Sequence, residues 1–196
     1  MVKFNKFNIM KFFKWRNYRL GIDLRKLTTN IIGFGSICDN GEHCLFFDLD
    51  NISEQQLRRG MLAIQKAYDL GSCYVFRTSK SSYHAIFLDK LSRGMVINIH
   101  DHFRNITPNW DGEGLINHDI SSLRRQYWTL RLSGRGYDHI IHLFTLPSTS
   151  KYWRKSNAHR FALQKLHGLT IPKTKDFDNY TGVVYDNYSA KKKLLK

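Results

Sequence analysis

The sequence predicts an α+β domain in which antiparallel strand pairs are separated by helices. Three features carry that reading: an Asn-Gly turn between two apolar runs, a capping-box helix straight after the second run, and another hairpin beyond that helix. Composition frames it. The chain has 196 residues, enough for one domain with a sizeable core or one domain plus a tail. Hydrophobic residues make up 42%, a globular value that excludes general disorder. No apolar run is long enough to span a bilayer.

Taken in order, Met1 to Lys26 is basic and aromatic, with Phe4, Phe7, Phe12, Phe13 and Trp15 among its lysines. It lacks the long apolar core and small-residue cleavage site of a secretory signal and reads as a helix that packs its aromatics on the domain. Asn30 to Cys38 is a strand weakened by two glycines. Asp39-Asn40-Gly41 turns it back, because Asn-Gly accepts positive φ at low cost. Glu42 to Asp50 is the returning strand. Ser53 and Gln56 then form a capping box, and Leu57, Met61, Ile64 and Tyr68 recur at helical spacing up to Gly71. Cys73 to Thr78 and Tyr83 to Leu88 form the second hairpin, around Ser79 to Ser82. Met95 to Phe103 is helical and Thr107 to Gly114 a loop. Tyr127 to Ser133 and His139 to Leu146 read as a further antiparallel pair. Ser150 to Leu166 reads as a helix closed by Gly168, and residues 171–196 as a polar, basic tail.

Charge narrows the class of partner. The net charge of +15 is spread along the chain, which favours a basic surface built into the fold and a polyanionic partner, nucleic acid foremost. Cys38, Cys44 and Cys73 cannot build a disulfide framework. Cys38 and Cys44 flank the Asn-Gly turn and could face each other across it, but no second cysteine pair stands at zinc-ligand spacing. No structural zinc is expected. The three read as reduced thiols, which points to an intracellular setting.

The strand Cys44-Leu45-Phe46-Phe47-Asp48-Leu49-Asp50 carries the most informative chemistry. Side chains alternate across a strand, so Asp48 and Asp50 share one face while Phe47 and Leu49 share the other. Neighbouring carboxylates repel unless a cation lies between them, and Mg²⁺ and Mn²⁺ prefer such oxygen ligands. Taken alone, the pair is also explained as a charged strand end solvated at a turn. In the second hairpin Ser82 and His84 likewise share a face, with Arg77 and Lys80 close in sequence, a set suited to phosphate oxygens. Later come Asp119, the Arg124-Arg125 pair, and Arg131 between Leu130 and Leu132 in an apolar strand.

This order of motifs resembles the archaeo-eukaryotic primase (primase-polymerase) superfamily: Asp-x-Asp on a strand, Ser-x-His in a hairpin, a later Asp, then an arginine in an apolar strand. The resemblance covers roughly Ile31 to Leu146 and is closest over Phe76 to Phe87. It implies an RRM-like antiparallel sheet as catalytic core, with flanking helices and an N-terminal αβ unit. Residues 1–170 would then be one catalytic domain, with 1–29 packed on it. The implied reaction is template-directed nucleotidyl transfer. Asp48, Asp50 and Asp119 would hold two divalent cations, Mg²⁺ or Mn²⁺. Ser82, His84, Arg131 and Lys80 would bind the nucleoside triphosphate. Arg77, Arg124, Arg125 and Arg135 would contact a single-stranded DNA template, with Trp128 or Trp15 for base stacking. A helicase or accessory primase subunit is an implied partner, and no membrane is involved.

Three other readings compete. A haloacid-dehalogenase-like phosphatase would explain Phe47 to Asn51, but needs a parallel sheet where Asn40-Gly41 predicts a hairpin. A rolling-circle replication endonuclease would use His100, His102 and Tyr152, but Asp101 sits in an expected helix. A non-catalytic nucleic-acid-binding module would leave a gathering of carboxylates in a basic chain unexplained.

Overall fold

The computed structural model describes residues 8–15, 18–25, 32–107, 117–118, 128–131, 140–148, 150–182 and 185–187. The chain divides into two compact units, Met1–Asn30 and Ile31–Lys196. In the first, β1 (Asn8–Trp15) and β2 (Tyr18–Arg25) pair antiparallel from Asn8↔Arg25 to Trp15↔Tyr18. The N-terminal helix expected from the sequence is therefore a hairpin. Phe12, Phe13, Trp15, Tyr18 and Ile22 are aromatic or β-branched, types that lose less in a pleated strand than in a helix.

The second unit runs β3 (Ile32–Gly35), β4 (His43–Asp50), α1 (Glu54–Ala67), β5 (Cys73–Arg77), β6 (Tyr83–Leu91), α2 (Arg93–Ile106), β7 (Asn117–His118), β8 (Thr129–Arg131), β9 (Ile141–Leu146), α3 (Asn157–His167) and β10 (Tyr185–Asn187). Four longer strands and the two-residue β7 make one antiparallel sheet in the order β7-β4-β6-β5-β9. A smaller antiparallel sheet has the order β10-β3-β8. The class is α+β, as the sequence predicts.

The Asn-Gly turn forms where expected. Gly41 takes φ 79°, which an L side chain resists, and the Cys38 N–H donates to the Glu42 carbonyl at 2.8 Å. Ile37 and His43 still pair, and beyond them the two arms part into different sheets. The capping box of α1 is complete. Ser53 Oγ accepts from the Gln56 N–H at 3.2 Å, and Gln56 Oε1 accepts from the Ser53 N–H at 2.8 Å. Leu57, Met61 and Ile64 are buried beneath the helix.

Gly71 does not stop α1. The helix ends at Tyr68, and Asp69 reverses the chain at φ 48°. Gly71 instead permits a close approach: a Cβ there would stand 2.5 Å from Lys155 Cε, and its N–H donates to both Asp89 oxygens at 3.0 Å. Burial raises the Asp89 carboxyl to about 6, against the pull of the Gly71 N–H and Lys155. The folded state thus holds the Asp89 proton more tightly than the unfolded chain. Between about pH 4 and pH 6, rising pH should cost the native state roughly 1–3 kcal/mol through this group. Asp89→Asn lacks that slope. The stability of wild type minus variant, read from urea unfolding, is expected to fall across the window; a constant difference would refute the shift.

Alternation along β4 sorts the core into two layers. Phe47 points to α2, with its ring 4.6 Å from His100 and 5.0 Å from Phe103. Phe46 points the other way, 5.9 Å from His159 on α3. Helices α1 and α2 therefore lie on one face of the large sheet and α3 on the other. The segment expected as a helix from Ser150 begins as one only at Asn157, capped by Ser156, and closes at Gly168 as expected. Residues before it anchor the chain: the Ser150 hydroxyl donates to the Asp69 carbonyl at 2.6 Å, and Lys155 pairs with Asp176.

Two further expectations are corrected. Among the described residues β8 pairs with β3 and β9 with β5, where the sequence predicts one pair. Trp128 explains the choice. It is buried, packs edge-on to His43 at 5.2 Å, and its backbone N–H donates to Ser36 Oγ, which holds β8 beside β3. The chain from 171 onward is not simply a tail. Ile171, Phe177 and Asp178 are buried, Lys90 bridges Asp39 and Asp178 at 2.8 Å each, and β10 pairs with β3. Among the described residues, no helix is long and apolar enough to cross a membrane.

Candidate functional site

Strands β4 and β6 are neighbours, and their register assembles the site. Asp48 lies opposite His84 and Leu49 opposite Tyr83, so Asp50 and Ser82 follow one step further on the same face as Asp48 and His84. Asp48 Oδ1 is 3.4 Å from His84 Nε2. The Asp48 side chain is 51% exposed and that of His84 only 2%, so the carboxylate meets solvent while the imidazole lies beneath it. His84 Nδ1 is buried without a hydrogen-bond partner. Asp50 and Ser82 are partly exposed. The structure sets His84 directly beside Asp48.

The row continues across the sheet. Phe76 on β5 lies opposite His84, and His142 on β9 opposite Phe76. Asp48, His84, Phe76 and His142 thus form a strip across four strands. At the end of α3, the His167 ring lies over Phe76 at 4.5 Å, and its Nε2 is buried without a partner. Burial, helped by the charges of His142 and His84, lowers His167 to about 4, so it is neutral at pH 7. Burial also lowers His142, whose Nε2 lies 3.0 Å from Thr145 Oγ1. Sequence reasoning missed both histidines. Their signal is alternation along strands whose partners the sequence did not disclose.

The basic candidates divide. Lys80 is exposed in the turn leading to Ser82. Arg77 is exposed, but it lies opposite Tyr83 and so alternates onto the face away from His84. Arg131 lies on β8 in the smaller sheet, opposite Gly33; its side chain is outside the described set. Asp119, Arg124, Arg125 and Arg135 lie outside the described residues. The strand leading to Asp119 is described: β7 runs beside β4, with Asn117 opposite Asp50 and His118 opposite Leu49. Trp128 is only 3% exposed and cannot stack on a base. Trp15 belongs to β1, and its side chain is outside the described set.

The competing enzyme readings lose ground on geometry. The strand carrying Asp48 sits in an antiparallel sheet, against the parallel sheet a haloacid-dehalogenase-like phosphatase needs. His100 and His102 lie on α2, with His100 buried against Phe47.

Solvent-facing carboxylates of this kind suit a hard cation, and the nearby Ser82 hydroxyl and exposed Lys80 suit anionic oxygens. A separate buried group, Cys38, Cys44 and His159, could also hold a metal ion. There the Cys44 thiol lowers Cys38 to about 5 by hydrogen bonding, while burial raises Cys44. No protein-family model, no curated protein and no solved structure matches the chain.

Proposed function

We propose that the chain is a template-directed nucleotidyltransferase of the primase-polymerase type, acting on nucleoside triphosphates along a single-stranded DNA template. The observation that carries this reading is the placement of Asp48 and Asp50 beside Ser82 and His84 on adjacent strands of one face. Two motifs more than thirty residues apart in sequence become one surface. The fold supports it as well. The run β4-α1-β5-β6-α2-β7, with spatial order β7-β4-β6-β5, is the order of elements that an RRM-like reading calls for. Asp119 is the next residue after His118, which pairs one step from Asp48.

In this reading each residue has a task. Asp48 and Asp50, with Asp119, hold divalent cations, Mg²⁺ or Mn²⁺, which supply Lewis-acid activation of the attacking hydroxyl and stabilisation of the leaving pyrophosphate. His84, buried beneath Asp48 with Nε2 3.4 Å from its carboxylate, would position that cation ligand and act on the nucleotide through it. The Ser82 hydroxyl would offer a direct donor at the mouth of the strand pair. Lys80 and Arg131 neutralise triphosphate charge, and Arg124, Arg125 and Arg135 hold the template backbone. The chain's net charge of +15 favours such a template.

Incorporation of labelled nucleotides on single-stranded DNA, with Mg²⁺ or Mn²⁺, tests the reading. The wild type is expected to extend or initiate chains. His84→Ala is expected to weaken nucleotide binding, and because the ring is buried it should also lower the melting temperature. The comparison therefore belongs at a temperature where both proteins are folded. Template binding without any product, under either metal and either sugar type and with or without an accessory subunit, would leave a non-catalytic binding module.

A further inference from the structure

At the opposite end of β4 from Asp50 lies a second constellation, which the proposed chemistry does not use. Cys38 ends the arm that follows β3, Cys44 lies near the start of β4, and His159 lies in the first turn of α3. All three are buried. One ligand-type atom from each falls within 4.8 Å of the others, and the two sulfurs are 3.9 Å apart. Two thiolates on one tetrahedral zinc, each about 2.3 Å from the metal, stand about 3.8 Å apart. The sulfurs already have the separation that a shared ion imposes.

Both nitrogens of the imidazole have partners: Nε2 lies 2.7 Å from the Gly35 carbonyl oxygen and Nδ1 2.7 Å from Ser156 Oγ. An ion displaces one of these bonds, and the other keeps the ring plane fixed. Two sulfurs and one nitrogen are soft donors, which select against Mg²⁺, Ca²⁺ and Mn²⁺. The set draws on three separate stretches of chain, so an ion there would staple the hairpin arms to α3. We propose that Cys38, Cys44 and His159 bind one thiophilic d¹⁰ ion, Zn²⁺, pinning the β3–β4 turn onto the N-terminal turn of α3. Three protein ligands leave one coordination position for water or a backbone carbonyl. Binding releases the thiol protons to solvent. The inference does not depend on nucleotidyl transfer.

The test uses the full chain without a histidine tag, reduced and stripped with chelator. Zn²⁺ is then added, and metal per chain is measured after gel filtration. One zinc per chain and a raised melting temperature are expected. Co²⁺ in place of Zn²⁺ is expected to give a thiolate-to-cobalt charge-transfer band. Cys38→Ser and Cys44→Ser should abolish the band, whereas Cys73→Ser, at a buried cysteine outside the cluster, should keep it. A folded wild type that takes up no stoichiometric Zn²⁺ would overturn the proposal, as would cobalt binding without a thiolate band. The wild-type arms decide the matter even if a serine variant fails to fold. A parallel titration with Cu⁺ under strict reduction checks the ion: tighter binding of Cu⁺, with no rise in melting temperature from Zn²⁺, would overturn the assignment to zinc.

Discussion

Replacing Asp48 and Asp50 together by alanine is expected to abolish nucleotide incorporation while leaving template affinity at least as high as in the wild type. The two carboxylates share one face of β4, Asp48 exposed and Asp50 partly so, where in the proposed reading they would hold the cations. Template affinity has a different source, the release of counterions as lysine and arginine meet phosphate. Removing two negative charges from a basic protein therefore cannot weaken that term. Anisotropy across a salt series should show the same steep fall of affinity with salt in both proteins, because the slope counts phosphate contacts. Stability should fall by about 1–3 kcal/mol, because the buried His84 Nε2 loses its carboxylate partner, so activities are compared at a temperature where both proteins are folded. A double variant that still incorporates nucleotides at the wild-type rate would sink the assignment of these carboxylates. One that loses template binding in step with activity would mean the pair supports the binding surface itself.

Phe47→Ala, one residue away, should have the opposite profile. Phe47 is fully buried and its ring meets Phe87, His100 and Phe103. Truncation removes a large apolar surface and leaves a cavity where strand and helix meet, a change that costs about 3–5 kcal/mol in well-packed cores. That is a large share of a typical domain's stability. The urea midpoint should fall sharply with the slope nearly unchanged. Activity at low temperature should fall only as the folded fraction falls. A loss below about 1 kcal/mol would mean that the core between β4 and α2 relaxes around the gap. Measured together, the two variants separate neighbouring residues on opposite faces of one strand: Asp48 and Asp50 at its end, and Phe47 in the core against α2.

Much of the molecule was legible from local pattern. The Asn40-Gly41 turn, the Ser53–Gln56 capping box, the Leu57-Met61-Ile64 stripe and the Gly168 cap depend on neighbours within a few residues, so local chemistry determined them. The same holds for the shared face of Asp48 with Asp50 and of Ser82 with His84, which follows from strand alternation alone. What tertiary structure decided is which strands pair. The partition of β3 and β4 between two sheets rests on Trp128 and Ser36, 92 residues apart. The pairing of β9 with β5 brings His142 to Phe76, and α3 brings His167 over it. The same helix sets His159 beside Cys38 and Cys44, more than a hundred residues away, which is why cysteine spacing alone did not disclose the cluster. The N-terminal hairpin is not legible in the sequence because a helix and a hairpin can carry the same mix of aromatics and lysines. Period and composition describe a segment's faces; only burial against a distant partner selects which face meets which.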